Sequence, residues 1–173
     1  MKKRILSILL TLCMVLCLVP VSVLADDTVL QSVAVRSIGP NEAEVANDLY
    51  EKMSAQVSVI KLINDIELSG SLPVYYAVTI DLNGHVLKMG DIADGSVIKI
   101  ESHGDLTITD SNPTAEHKFT PNADGLWVLD ETGGTEIVKG GVIYGGTGSR
   151  NGDTVSGGGV YVDNGGTFTM TGG

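Results

Sequence analysis

The chain has few cysteines, few aromatic residues and few basic residues. Its two cysteines, Cys13 and Cys17, both lie in an apolar N-terminal segment, so a chain without that segment has no disulfide, thiolate nucleophile or cysteine-bound zinc. Aromatic residues make up 5% of the chain against 22 glycines, which argues against a helix bundle and favours short strands and turns. Only 11 Lys and Arg residues stand against 21 Asp and Glu, which is the wrong balance for binding nucleic acid or anionic lipid.

The first 25 residues have the regions of a secretory signal peptide. Three basic residues follow Met1, and the apolar run 5–19 is ended by Pro20. Val23 and Ala25 occupy the positions that a signal peptidase recognises, so we predict cleavage before Asp26 and a secreted or cell-surface product. That product has 8 basic and 21 acidic residues and therefore a net charge of −13. An uncleaved anchor would need about 20 apolar residues, and a lipoprotein would need a small residue before its cysteine, where this chain has leucine.

A leader arm and a helix are predicted before the first strands. Residues 26–40 have no strong period, whereas 41–56 have a helical one, with Asn41 as N-cap and Glu44 completing a capping box. We predict that this helix caps the end of the strand region, although an ordinary surface helix packed elsewhere is an alternative. Its apolar face is formed by Val45, Leu49 and Met53.

From residue 57 onward the apolar residues alternate with polar ones, which is typical of short one-sided strands. Residues 97–109 align without a gap on residues 159–171, and a related, less regular unit covers 124–141. Because one such unit cannot bury its apolar side alone, we expect the copies to stack as a solenoid with parallel sheets.

Two segments resemble bacterial surface proteins of the pectin-lyase fold. Residues 80–87, Ile-Asp-Leu-Asn-Gly-His-Val-Leu, look like their early-coil motif, and residues 157–173 contain their Gly-Gly-Thr-Phe-Thr-Met-Thr-Gly-Gly repeat. The resemblance implies an all-β, right-handed single-stranded parallel β-helix over 57–173 and an adhesin-like role, often with more repeats and an anchor further on. The open strand edge at Gly172 and Gly173 predicts that this chain is a fragment.

The same fold also includes polysaccharide lyases and glycoside hydrolases. Such lyases use clustered acids that hold calcium beside a basic residue, but Arg36 and Arg150 lie outside any acidic cluster. A glycosidase needs two facing carboxylates, for which Asp81 and Asp110 are the candidates. The alternative is that both are solvated surface acids.

Other residues with binding chemistry form no recognisable set. The three histidines, His85, His103 and His117, lack the spacing of zinc ligands and are interpreted as turn residues. A calcium-binding nonapeptide begins at Gly145, but Arg150 replaces its acidic ligand, which leaves Asp153 and Asp163 as an isolated calcium site or part of a flexible loop. The only tryptophan, Trp127, could stack on a sugar, although packing beside Leu126 and Val128 is the preferred interpretation.

No catalytic, cofactor-binding or metal-binding residue is therefore assigned, and no cofactor is expected. The hypothesis is a non-catalytic, adhesin-like or ligand-presenting scaffold whose partners are glycans or cell-surface macromolecules, without nucleic acid and without a membrane span after signal cleavage. The alternatives are the N-terminal part of a polysaccharide lyase or glycoside hydrolase, and a purely structural stalk.

Overall fold

A computed structural model describes residues 38–90, 95–148, 150–151, 154–155 and 157–173. The predicted signal peptide and nearly all of the leader arm lie outside these residues. The described part is mostly β, with one helix, α1 (Ala46–Ser54), among short strands. The strands are β1 (Glu42–Ala43), β2 (Val59–Leu62), β3 (Ile66–Leu68), β4 (Leu72–Val74), β5 (Ala77–Asp81), β6 (Val86–Met89), β7 (Ile98–Ile100), β8 (Asp105–Thr109), β9 (Glu116–Pro121), β10 (Trp127–Leu129), β11 (Glu136–Lys139), β12 (Val142–Tyr144), β13 (Arg150–Asn151), β14 (Thr154–Val155), β15 (Val160–Val162) and β16 (Thr167–Met170).

Three of the sheets are parallel. Their strand orders are β1-β2-β5-β8-β16, β12-β6-β3 and β15-β7-β4. The two segments that align in sequence are neighbours here in the same register, with Val160 beside Ile98 and Phe168 beside Leu106. The alignment therefore identifies equivalent strands, but the structure places them side by side without the unit 124–141 that the repeat interpretation puts between them.

The prediction of a right-handed single-stranded parallel β-helix over 57–173 is wrong. The strands of the described residues are divided among five short sheets of two to five strands, none of which forms a closed or continuous solenoid sheet. Two of the five are antiparallel, namely β10-β9-β11 and β13-β14. Residues 124–141, interpreted above as a repeat unit, contain β10 and β11 instead, because tight turns at Gly125 (φ 77°) and between Asp130 and Gly134 fold the chain back on β9. We call β9, β10 and β11 the insert sheet.

The helix is shorter than predicted, and its N-cap is Val45 rather than Asn41. Residues before it extend as β1, which pairs in parallel with β2. The Asp48 carboxylate accepts hydrogen bonds from the backbone N–H groups of Glu44 and Val45, each at 3.1 Å, and so supports the first turn from inside the helix. Val45 is 52% exposed and does not belong to the apolar face.

The core contains the inward residues of the parallel strands together with two side chains of α1. Alternate residues point to opposite faces of a strand, so one face of each strand can be fully buried. Packing joins the helix to the strands through one continuous cluster: Ala43, Leu49, Met53, Ile60, Leu62, Ile66, Leu68, Leu72, Val74, Val78, Ile80, Leu82, Leu87, Met89, Val97, Ile98, Ile100, Leu106 and Ile108.

Candidate functional site

Asp110, a candidate catalytic acid, holds three backbone segments together. Its Oδ1 accepts hydrogen bonds from the N–H groups of Gly84 (2.7 Å) and Asn112 (3.1 Å). Its Oδ2 accepts one from the N–H of Gly141 at 2.7 Å. Both carboxylate oxygens therefore join the turn before β6 to the chain just before and just after the insert sheet.

Asp81 has a similar structural role at the end of β5. Its Oδ1 accepts hydrogen bonds from the N–H groups of Asn83 (2.9 Å) and Ser111 (2.8 Å). Burial by itself raises the pKa of Asp81, but the hydrogen bonds from Ser111 and Asn83 outweigh it and lower that pKa below its ordinary value. A glycosidase acid needs the opposite shift. Asp81 and Asp110 are neighbours joined through Ser111, but their hydrogen bonds fit them to turn support and not to proton transfer.

The three histidines occupy three different settings. His85 and His103 are turn residues, with the His85 Nδ1 3.3 Å from Asp65 and the His103 Nδ1 3.0 Å from the Ser102 hydroxyl. The turn interpretation is wrong for His117, which lies in β9 and is only 7% exposed. Its Nδ1 is 2.8 Å from Glu131 Oε1 and its Nε2 is 2.9 Å from the Gly84 carbonyl oxygen. His117 thus helps to attach the insert sheet to the turn before β6.

No group of three potential metal ligands occurs among the residues that the structure describes. Arg36, Asp153 and the Arg150 side chain lie outside the described residues. Asp163, which was paired with Asp153 as an isolated calcium site, accepts a hydrogen bond from the N–H of Asn164 at 2.8 Å.

Trp127 is 54% exposed, so the interpretation of this residue as packed in a core or cap is wrong. It begins β10, where it stands opposite Pro121 of β9. The aromatic contact in this region is made instead by Phe119 and Tyr144, whose ring centroids are 5.8 Å apart in an edge-on arrangement. The indole is thus available for binding.

A candidate binding groove lies between the end of α1 and the link from β4 to β5. It has a volume of about 250 Å³, and three tyrosines dominate it. We call it the tyrosine groove. Its lining residues are Tyr50, Met53, Ser54, Gln56, Pro73, Tyr75 and Tyr76.

Two of the three tyrosines are held by hydrogen bonds to the backbone. The Tyr50 hydroxyl donates to the Gly70 carbonyl at 2.9 Å, and the Tyr76 hydroxyl donates to the Val57 carbonyl at 3.2 Å. Tyr75 is 63% exposed and lines the same groove. The groove therefore combines two pre-positioned rings with one ring that is free to adjust to a ligand.

In the described part of the chain, no charged side chain lines the tyrosine groove. Burial raises the pKa of Tyr50, with the hydrogen bond to Gly70 as a smaller opposing effect, and burial also raises the pKa of Tyr76. Both phenols stay protonated at neutral pH. Polar groups of the lining include the Ser54 hydroxyl, the Gln56 amide and the Tyr75 hydroxyl. Gln56 follows the helix in a left-handed conformation (φ 55°).

The sequence did not lead to this groove. The sequence feature that could have indicated the groove is the position of its tyrosines. Three of the five tyrosines of the chain line it, namely Tyr50, Tyr75 and the adjacent Tyr76. Tyr50 lies beside the predicted apolar face of the helix, but nothing in the local pattern shows that the link after β4 reaches that helix.

No helix in the described part of the chain combines the length and apolar character needed to cross a bilayer. Comparisons with protein-family models, with curated proteins and with solved structures find no match for this chain.

Proposed function

We propose that the protein is a secreted or cell-surface, non-catalytic, adhesin-like scaffold that binds neutral glycans in the tyrosine groove. The single observation that carries the proposal is the convergence of three tyrosines in a groove without charged side chains. Support for export comes from the signal-peptide pattern of the first 25 residues. Support for a surface role comes from the resemblance of residues 80–87 and 157–173 to bacterial surface proteins.

A neutral sugar fits the chemistry of the groove. A pyranose ring has an apolar C–H face that packs on an aromatic ring, and its hydroxyl groups pair with neutral donors and acceptors. Tyr75 offers the exposed ring, while Ser54 and Gln56 offer a hydroxyl and an amide. A volume of about 250 Å³ is slightly below the range of about 300–1,000 Å³ that is typical of small-molecule sites, so the groove suits a short glycan. A uronate would bring a carboxylate that no basic residue of the lining neutralises.

The alternative function, a polysaccharide lyase or glycoside hydrolase, is less well supported. Its two candidate acids, Asp81 and Asp110, accept hydrogen bonds from backbone N–H groups of neighbouring turns. The pKa of Asp81 is moved in the direction that opposes general acid catalysis. Neither residue lines the tyrosine groove.

Titration of the protein with neutral gluco-, galacto- and manno-oligosaccharides, with oligogalacturonate as the charged comparison, tests the proposal. We expect a neutral glycan to bind and Tyr75→Ala to weaken it about tenfold or more, because the variant removes the exposed stacking ring. Isothermal titration calorimetry measures the affinity, and a reducing-sugar assay on the same mixtures should show no turnover.

Ile137→Ala is the control, since it removes a large exposed apolar side chain that does not line the groove. It should leave glycan affinity unchanged. Failure of every neutral glycan to bind at about 10 mM, or equal affinity of the wild type and Tyr75→Ala, would overturn the proposal.

A further inference from the structure

The insert sheet has two edges that differ in how they are protected. In the described residues β9 is central, and β10 and β11 are the outer strands. Native sheets protect such edges with charged side chains because unpaired backbone groups invite another strand. The edge strand β11 carries Glu136 and Lys139, whereas β10 consists of Trp127, Val128 and Leu129 and has no charge.

In the described part of the chain, the side of β10 that faces away from β9 has no strand partner, and it presents backbone hydrogen-bonding groups at strand spacing. The N–H of Asn122 donates to the Leu126 carbonyl, and the N–H of Asp130 donates to the Lys118 carbonyl, both at 2.8 Å. Hydrogen-bonded and non-bonded pairs alternate in an antiparallel ladder, so the N–H and C=O groups of Trp127 and Leu129 point away from β9. These four groups have the arrangement that an additional strand would complete.

A groove of about 460 Å³ lies beside β10. We call it the tryptophan groove, and it is separate from the tyrosine groove in all of its residues. Its walls come from the insert sheet and from the chain that leaves β6 and β12. The lining residues are Met89, Gly90, Asn122, Leu126, Trp127, Val128, Tyr144, Gly145, Gly146 and Thr147.

Among the residues that the structure describes, the lining of the tryptophan groove is uncharged, although the chain has 21 acidic and 11 basic residues. A charged ligand would lose hydration there without gaining a partner, and the net negative charge of the chain repels an acidic one. Trp127 and Tyr144 instead supply apolar surface for a neutral side chain.

We propose that β10 is a docking edge for an extended, uncharged peptide segment of a partner protein. The segment adds as a strand to the edge of β10 through its main chain, and alternate side chains enter the tryptophan groove. The edge of β10 favours a peptide over a sugar, because a sugar cannot complete a ladder of N–H and C=O groups spaced two residues apart. This site is independent of glycan binding in the tyrosine groove.

The probe is acetyl-Thr-Val-Thr-Val-Thr-amide, with the same peptide N-methylated at its three central residues as the comparison. Trp127 is the only tryptophan, so its fluorescence reports on this groove alone. We expect saturable binding with a blue shift of the emission as the indole loses water. Methylation removes the donors of the peptide backbone and should weaken binding about tenfold or more.

Two charge-introducing variants locate the site. Leu126→Glu places a carboxylate in the lining and should weaken binding about tenfold or more. Ile137→Glu introduces the same charge at an exposed position on β11 and should leave affinity unchanged. Both changes are at exposed residues, so both variants should keep the wild-type melting temperature.

Three results would overturn the proposal. They are the absence of a saturable emission change at about 1 mM peptide, equal affinity for the methylated peptide, and equal loss of affinity in the two variants. A neutral oligosaccharide that shifts the Trp127 emission and competes with the peptide would reassign the groove to sugar binding.

Discussion

Replacement of Asp110 tests whether this carboxylate supports the fold or takes part in chemistry. It accepts hydrogen bonds from Gly84, Asn112 and Gly141, and both glycines are buried. A hydrogen bond to a charged group contributes about 1.5–3 kcal/mol, and a buried N–H left without a partner costs about 1–3 kcal/mol. Since the three bonds share one carboxylate and are not additive, we expect Asp110→Ala to lower the free energy of unfolding by about 3–5 kcal/mol.

Asp110→Asn should have a smaller effect, about 1–3 kcal/mol. It keeps one oxygen for Gly84 and Asn112 but turns an amide donor toward the N–H of Gly141. Urea denaturation followed by far-ultraviolet circular dichroism measures the change. With a typical m value of about 1–3 kcal/mol per M, Asp110→Ala should move the midpoint by about 1–5 M.

Asp163→Ala is the control, because the hydrogen bond of Asp163 reaches only to the next residue, Asn164. It should change stability by about 0.5 kcal/mol or less. If Asp110→Ala were as stable as the wild type, the interpretation of Asp110 as a structural link between the insert and the turn before β6 would be wrong.

Two further perturbations test the helix and the acid at the end of β5. Leu49 is fully buried, so Leu49→Ala should lower the free energy of unfolding by about 2–5 kcal/mol in thermal or urea unfolding. Val45→Ala, at the exposed N-cap of α1, should lower it by about 0.5 kcal/mol or less. Equal effects would mean that the helix does not pack as described. The pKa of Asp81 is lower in the folded protein than in the unfolded chain, where it is about 3.9. Ionised Asp81 therefore stabilises the fold at pH values above about 3.9. This contribution is lost as the pH falls through the pKa of the folded state. The stability advantage of the wild type over Asp81→Asn should therefore be full at neutral pH and shrink below about pH 4, and an advantage that grew on acidification would contradict the assignment.

Local patterns were enough to identify many strands. The alternation of apolar and polar residues predicted buried faces such as Ile98 and Ile100. The gapless alignment identified Val160 as the equivalent of Ile98, but it left the unit 124–141 between them, whereas the structure pairs the two residues directly. Both depend on residues a few positions apart or on a repeated pattern, which a sequence displays directly. The helical period likewise identified Leu49 and Met53 as buried.

The arrangement of the insert and the two grooves depends on contacts that are remote in sequence. Residues 124–141 resemble a repeat, yet their turns return the chain to β9, where an antiparallel partner is already present within a few residues. Asp110 reaches Gly141 across 31 positions, and Tyr50 reaches Gly70 across 20. The type of a residue does not show which distant backbone group will lie beside it. Only the packing of the chain therefore decides which backbone groups bind Asp110, and only packing brings Tyr50 and Tyr76 into one groove.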